Sequence, residues 1–252
     1  MASRRDILLV CGGKYHDIDF ARLELLTLLA EHENYRVTVR EDYSDLDAIR
    51  NADALVTYTC EVLPDADGEQ AIDDFLNQGR RWFALHGTNS RLKYVKGTGW
   101  TAPNDAPRFM DMLGSQFVAH PPIQPFTVEA STAHPLVDGI PPFEADDEIY
   151  LCHFFGEHER LLHTHFTGEA EGFEHSDWSD NDIVPIMYLR RWGSGDVLYL
   201  NLGHARGRYD MQPLMDEYPQ VERGSWKQDA FYELLRRGMR WMTDQDVMGA
   251  AA

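Results

Sequence analysis

Hydrophobic and polar positions in the first half of the chain follow two alternating periods. Asp6 to Cys11 (DILLVC) is a continuous apolar run closed by Gly12-Gly13, the pattern of a strand buried on both faces. Phe20 to His32 (FARLELLTLLAEH) carries apolar residues at helical spacing and predicts a helix. Tyr35 to Arg40 (YRVTVR) alternates and is β-branched, so a strand with one more exposed face is expected. Asp53 to Thr59 (DALVTYT) reads as a third strand, Gly68 to Gln78 as a helix closed by Gly79, and Arg81 to Leu85 as a fourth strand. Strand alternating with helix predicts a mostly parallel sheet with helices on both faces.

The second half is patterned differently. Phe117 to Ala130 (FVAHPPIQPFTVEA) is broken by prolines, which suits an irregular edge strand followed by a regular one. Ile149 to Phe154 and Leu161 to Phe166 read as short strands. Ile183 to Arg191 and Asp196 to Leu202 flank Trp192-Gly193-Ser194-Gly195, an antiparallel hairpin near the C-terminus. Asp229 to Met242 is an amphipathic closing helix, and Glu169 to Asp182 a polar, exposed loop. No linker, repeat or low-complexity stretch divides the chain, so residues 1–252 read as one domain.

Composition narrows the partners. A net charge of −19 repels phosphate backbones and anionic lipid surfaces, which argues against nucleic acid and membrane. The N-terminal apolar run is too short for a signal peptide, and no run approaches the ~18 apolar residues that span a bilayer, so a cytoplasmic protein is expected. The 3 cysteines, Cys11, Cys60 and Cys152, are scattered and indicate neither a disulfide framework nor a cysteine zinc site. GxGxxG, GxxxxGK[ST], GxSxG and HExxH are all missing, so no nucleotide cofactor is expected.

Histidine is the unusual element, with 11 copies, several where predicted strands end. His86 closes the fourth strand, His204 closes the last, and His16 sits in the loop after the first, followed by Asp17. The carboxyl ends of parallel strands share one edge, so these three loops can converge there. His120 is pinned by the prolines of FVAHPP, whereas His134-Pro135 sits in a structural turn. His163 and His165 share a strand face, a spacing that can bind metal. The acidic run Asp146-Asp147-Glu148 reads as a solvated face, from which Glu148 is placed to orient a histidine or act as a base. Trp82, Trp100, Trp178 and Trp192 offer apolar faces to a sugar ring.

The order GGKYHD, WFALHGTN, FVAHPP, HPLVDGIPPF, DDEIY, LRRWGSGDVLYLNLGH and LLRRGMRWM closely resembles the ThuA-like (trehalose utilisation) family, from about Leu8 to Met242. The resemblance implies a class I glutamine amidotransferase-like, flavodoxin-like three-layer α/β sandwich. True amidotransferases of that fold place a nucleophilic cysteine on the strand–helix elbow; His86-Gly87 stands there instead, so glutaminase activity is not expected. Family members are associated with disaccharide catabolism, which implies a small-molecule sugar substrate such as a keto-glycoside, processed by isomerisation, elimination or hydrolysis.

Under that reading His86, His204, His120 and Glu148 are the expected catalytic residues. His16, Asp17, Thr88, Asn89, Trp192 and Arg206 are the expected substrate contacts. Some members resemble metal binders, which makes His16, His86 and His204 the expected ligands of a divalent metal such as zinc. Where the family places an acidic residue after the last histidine, this chain has Ala205 and then Arg206. The loop Glu169 to Asp182 also departs from the family pattern and is expected to act as a specificity lid. The alternatives are a sugar-binding or regulatory partner of a sugar oxidoreductase, and a zinc-dependent hydrolase; a homo-oligomer is compatible with each.

Overall fold

The long apolar runs become the central strands of one large sheet. The computed structural model describes residues 3–249; residues 1–2 and 250–252 of the expected domain lie outside the described residues. In chain order the elements are β1 (Arg5–Gly13), α1 (Ile18–Leu29), β2 (Tyr35–Arg40), α2 (Leu46–Asn51), β3 (Ala54–Cys60), α3 (Ala66–Asn77) and β4 (Arg81–Leu85). They continue with β5 (Lys93–Val95), β6 (Gly99–Thr101), α4 (Pro107–Leu113), β7 (Ser115–Ala119), β8 (Gln124–Ala130) and β9 (Phe143–Asp147). The last are β10 (Leu151–Phe154), β11 (Glu159–His165), β12 (Ile183–Trp192), β13 (Gly195–Leu200) and α5 (Asp229–Trp241).

The sheet has 9 strands in the order β2-β1-β3-β4-β13-β12-β11-β8-β9. From β2 to β13 every pairing is parallel, and from β13 to β9 every pairing is antiparallel. β3 is buried along its whole length, as its unbroken apolar run requires, while β2 on the edge is only partly covered. One core cluster packs α1 and α5 on one face, and a second packs α2, α3 and α4 on the other, giving the three layers of the α/β sandwich. Each of Phe231, Leu234, Leu235 and Met239 of α5 is fully buried, a gain of roughly 1.5–3 kcal/mol per side chain.

Short local signals set the helix starts. Asp17, Asp45 and Asp65 each accept a backbone N–H from the first turn of α1, α2 and α3. α4 begins with Pro107 and stops at Gly114, which takes the left-handed conformation that favours glycine. α2, α4, β5, β6 and β9, of 3 to 7 residues, are too short for the hydrophobic pattern to single them out from the flanking loops.

The proline-broken stretch divides as expected, but its first strand leaves the main sheet. β7 pairs with β10 in a separate two-stranded ribbon, while β8 joins the main sheet beside β11. The strand expected from Ile149 starts at Leu151, with Ile149 and Tyr150 buried just before it. Although β9 lies four strands from β13 in the sheet order, Asp147 at its end hydrogen-bonds the backbone just after β13. The antiparallel half therefore bends round over the carboxyl edge of the parallel half.

Candidate functional site

At that edge four buried side chains meet. His86 follows β4 immediately and begins a tight helical turn over residues 86–89. Its φ of 42° is strained for a residue with a Cβ, a conformation that persists only where the surroundings enforce it. The next residue has no room for a side chain, since a Cβ on Gly87 would lie 2.7 Å from the Thr59 carbonyl oxygen. The turn tucks the imidazole inward, where its Nδ1 meets the Asn201 carbonyl at 2.7 Å. His16 arrives on the loop after β1, with Nδ1 3.2 Å from the Lys14 carbonyl.

A carbonyl oxygen only accepts, so in each ring Nδ1 carries the proton. With Nδ1 carrying the proton each Nε2 is left with a lone pair; the two face each other at 2.8 Å, and the Tyr150 hydroxyl lies 3.1 Å from that of His86. Burial drives His16 down to about 4, so it stays neutral at ordinary pH, against the opposing pull of Glu148. Two lone pairs at that distance repel unless a cation or a proton lies between them.

Glu148 and His204 complete the group. Glu148 Oε2 lies 3.5 Å from His86 Nε2 and 3.9 Å from His16 Nε2, and its Oε1 lies 3.2 Å from His204 Nδ1. Burial opposes charge on both groups, yet their attraction wins: Glu148 is held well below its usual range and His204 is pushed up to about 10. His204 Nε2 bonds Glu222 at 2.7 Å. Glu222, 18 residues away in sequence, thus sets a carboxylate beside His204. One ligand atom from each of His16, His86, Glu148 and His204 lies within 4.8 Å of the others, so the group could hold a metal ion.

Asp147 holds this group in place. It is 1% exposed and accepts four backbone N–H bonds, from Glu148, Gly203, His204 and Ser225. The acidic run is therefore not a solvated face: only Asp146 points outward. The sequence signal that was available is the alternation Ala145 in, Asp146 out, Asp147 in.

Above the group lies a cavity of about 520 Å³. Tyr15, Trp100, Phe117, Phe173 and Tyr218 form much of its wall, and His16, His120, Glu148, Arg206 and Glu222 supply its polar positions. His120 Nδ1 donates to the Pro121 carbonyl at 2.8 Å, and its Nε2 lies 3.7 Å from Glu148. Arg206 ion-pairs Glu222 at 2.6 Å and lies over the Tyr218 ring, while its Nε has no partner. Glu171, Gly172 and Phe173 of the loop expected to act as a lid contribute to the wall, and Trp100 N–H bonds the Gly172 carbonyl at 2.8 Å.

Several sequence expectations need correcting. His86 and His204 do not reach the cavity; they lie beneath it at 0% and 1% exposure, because the turns after β4 and β13 fold their rings inward. Thr88 and Asn89 are buried under the same turn, Thr88 on the Leu85 carbonyl and Asn89 on Ser115. Asp17 caps α1 and pairs with Arg223 at 2.9 Å, which leaves it outside the cavity wall. Trp192 is at the opposite end of the sheet, since β12 runs antiparallel to β13 and ends where the parallel strands begin; its Nε1 bonds Asp73. Trp82 is core, bonded to Thr57. Cys60 reaches the cavity, but burial raises its thiol well above the usual range, so it is no ready nucleophile.

A family model described as trehalose utilisation, ThuA, matches residues 6–217. Among solved structures, a ThuA-like protein from Parabacteroides merdae superposes with a TM-score of 0.68 at 15% identity, covering 97% of this chain and 92% of that one. A ThuA-like protein from Bacteroides uniformis gives 0.66 at 18% identity, covering 99% and 95%. A β-galactosidase from Rahnella sp. R3 gives 0.56 at 12% identity, covering 95% of this chain and 32% of that one. At these identities the likeness is one of fold. No curated protein matches the chain in sequence. Among the described residues no helix is long and apolar enough to cross a membrane.

Proposed function

Because the chain belongs to the ThuA family, described as trehalose utilisation, we propose that it is a carbohydrate-catabolism enzyme acting on a keto-glycoside. The observation that carries this reading is the pair of facing histidine lone pairs beside a buried carboxylate, at the floor of an aromatic-walled cavity of sugar size. The aromatic rings offer flat apolar faces to a pyranose, and the Arg206–Glu222 pair offers donors and acceptors to its hydroxyls.

The donor set suits a divalent metal such as zinc. His16 and His86 would hold it through Nε2 and Glu148 through a carboxylate oxygen; His204 joins them only by giving up its Nδ1 proton, which makes its participation pH-dependent. When bound, such an ion supplies Lewis-acid stabilisation of the negative charge that develops on the sugar's keto oxygen. His120 is the group placed to do proton chemistry. Its free Nε2 faces the cavity, and a ketone acidifies the adjacent C–H enough for an imidazole to remove its proton. His86 is recast as a residue that positions and ligates, since it has no access to substrate.

The test is proton–deuterium exchange next to the ketone of 3-keto-glycosides, followed by NMR in D₂O with zinc present. Wild type should catalyse exchange, and His120→Ala should lose about 10²–10⁴ of the rate while keeping its metal. A wild-type protein that binds these sugars but exchanges nothing and releases no product would make it a binding module instead.

A further inference from the structure

A second convergence of ligating atoms lies outside the cavity, on the strands of the antiparallel half. His163 and His165 alternate along β11 and so point to one side, and His163 sits directly opposite Glu129 on β8. We infer a second divalent transition-metal site here, formed by Glu129, His163 and His165, that takes zinc or a similar ion and leaves one coordination position to water.

The distances suit three ligands of one ion. Glu129 Oε1 lies 3.4 Å from His163 Nε2 and 3.6 Å from His165 Nε2, and all three ligand atoms fall within 4.8 Å of one another. Charge-assisted N–H···O bonds run at about 2.7–2.9 Å, so both separations are longer than a close hydrogen bond. Metal–ligand bonds of about 2.0–2.1 Å in a tetrahedron place neighbouring ligand atoms roughly 3.3–3.4 Å apart, close to what is seen.

Each ring is also held from behind. His165 Nδ1 bonds Asp182 Oδ1 at 2.9 Å, and His163 Nδ1 meets the Ser131 hydroxyl at 2.9 Å, which itself accepts from Arg160 Nε at 3.2 Å. A carboxylate on the far nitrogen is the usual support of a zinc-binding histidine, because it turns the ring and raises its basicity. Both Nε2 atoms are thereby directed to the Glu129 side. Two histidines and one carboxylate with an open position form a donor set that zinc takes readily. Its location adds a consequence: β8 and β11 share only the register pairs Leu162↔Ala130 and His163↔Glu129, and an ion bridging them would clamp this seam.

The experiment is zinc equilibrium dialysis with elemental analysis on tag-free, full-length protein, in a His16→Ala, Glu148→Gln background that leaves the cavity site only two of its four ligands. One zinc equivalent should persist there and vanish when His163→Ala and His165→Ala are added. Asp182→Ala should weaken that equivalent about 10–100-fold with an unchanged melting temperature in EDTA, separating ring support from general destabilisation. A background protein that holds no zinc, or one that still holds it after both strand histidines are replaced, would overturn the inference.

Discussion

Replacing Asp147 by asparagine tests the idea that one buried carboxylate ties the sheet's far end to the site. Oδ1 accepts the N–H groups of Glu148 and His204 at 2.8 and 3.0 Å, and Oδ2 those of Gly203 and Ser225 at 3.0 and 2.9 Å. Asparagine has nearly the same shape, but one oxygen becomes an NH₂ donor. Whichever way the amide turns, two buried N–H groups then face a donor. Hydrogen bonds to a charged group are each worth about 1.5–3 kcal/mol, so the loss should be about 3–6 kcal/mol. That is a large share of the roughly 5–15 kcal/mol that holds a typical domain folded. At roughly 2–4 °C per kcal/mol, the melting temperature should fall by about 6–24 °C. Urea unfolding followed by tryptophan fluorescence measures the loss directly. A change below about 1 kcal/mol would refute the reasoning, since it would mean that these donors find water or other partners when the carboxylate is gone.

Two opposite pH dependences should appear in the same unfolding assay. His16 is lowered in the folded state to about 4, so its contribution is present above pH ~6.5 and lost as pH falls toward 4. His204 is raised to about 10, so its contribution is full below pH ~6.5 and fades as pH rises toward 10. Glu148→Gln should bring the His204 imidazole resonance into titration at lower pH, and an unmoved resonance would remove Glu148 as the cause. Gly87→Ala should cost about 1–3 kcal/mol, because its Cβ would press on the Thr59 carbonyl; a neutral result would mean that the turn carrying His86 shifts freely.

Much of this could be read from the pattern of residues. Buried apolar runs named β1, β3 and β4, and the turn residues between Trp192 and Gly195 named the hairpin, because both signals are local in the chain. Strand-end histidines could be placed at one edge, since parallel strands must share their carboxyl ends. His16, His86 and His204 do meet there, with Glu148 among them and His120 beside it. Periodicity says which face of a strand is buried, but not which strands are neighbours or how far a sheet bends. Only the folded chain could therefore carry Asp147 from the end of β9 to the backbone after β13, or set Glu222 against His204. It also decided exposure within the site: His86 and His204 went beneath the cavity floor, His120 stayed in its wall, and Trp192 went to the opposite end of the sheet. Those outcomes depend on contacts between residues far apart in sequence, whose geometry is settled by the packing of the whole sheet against its helices.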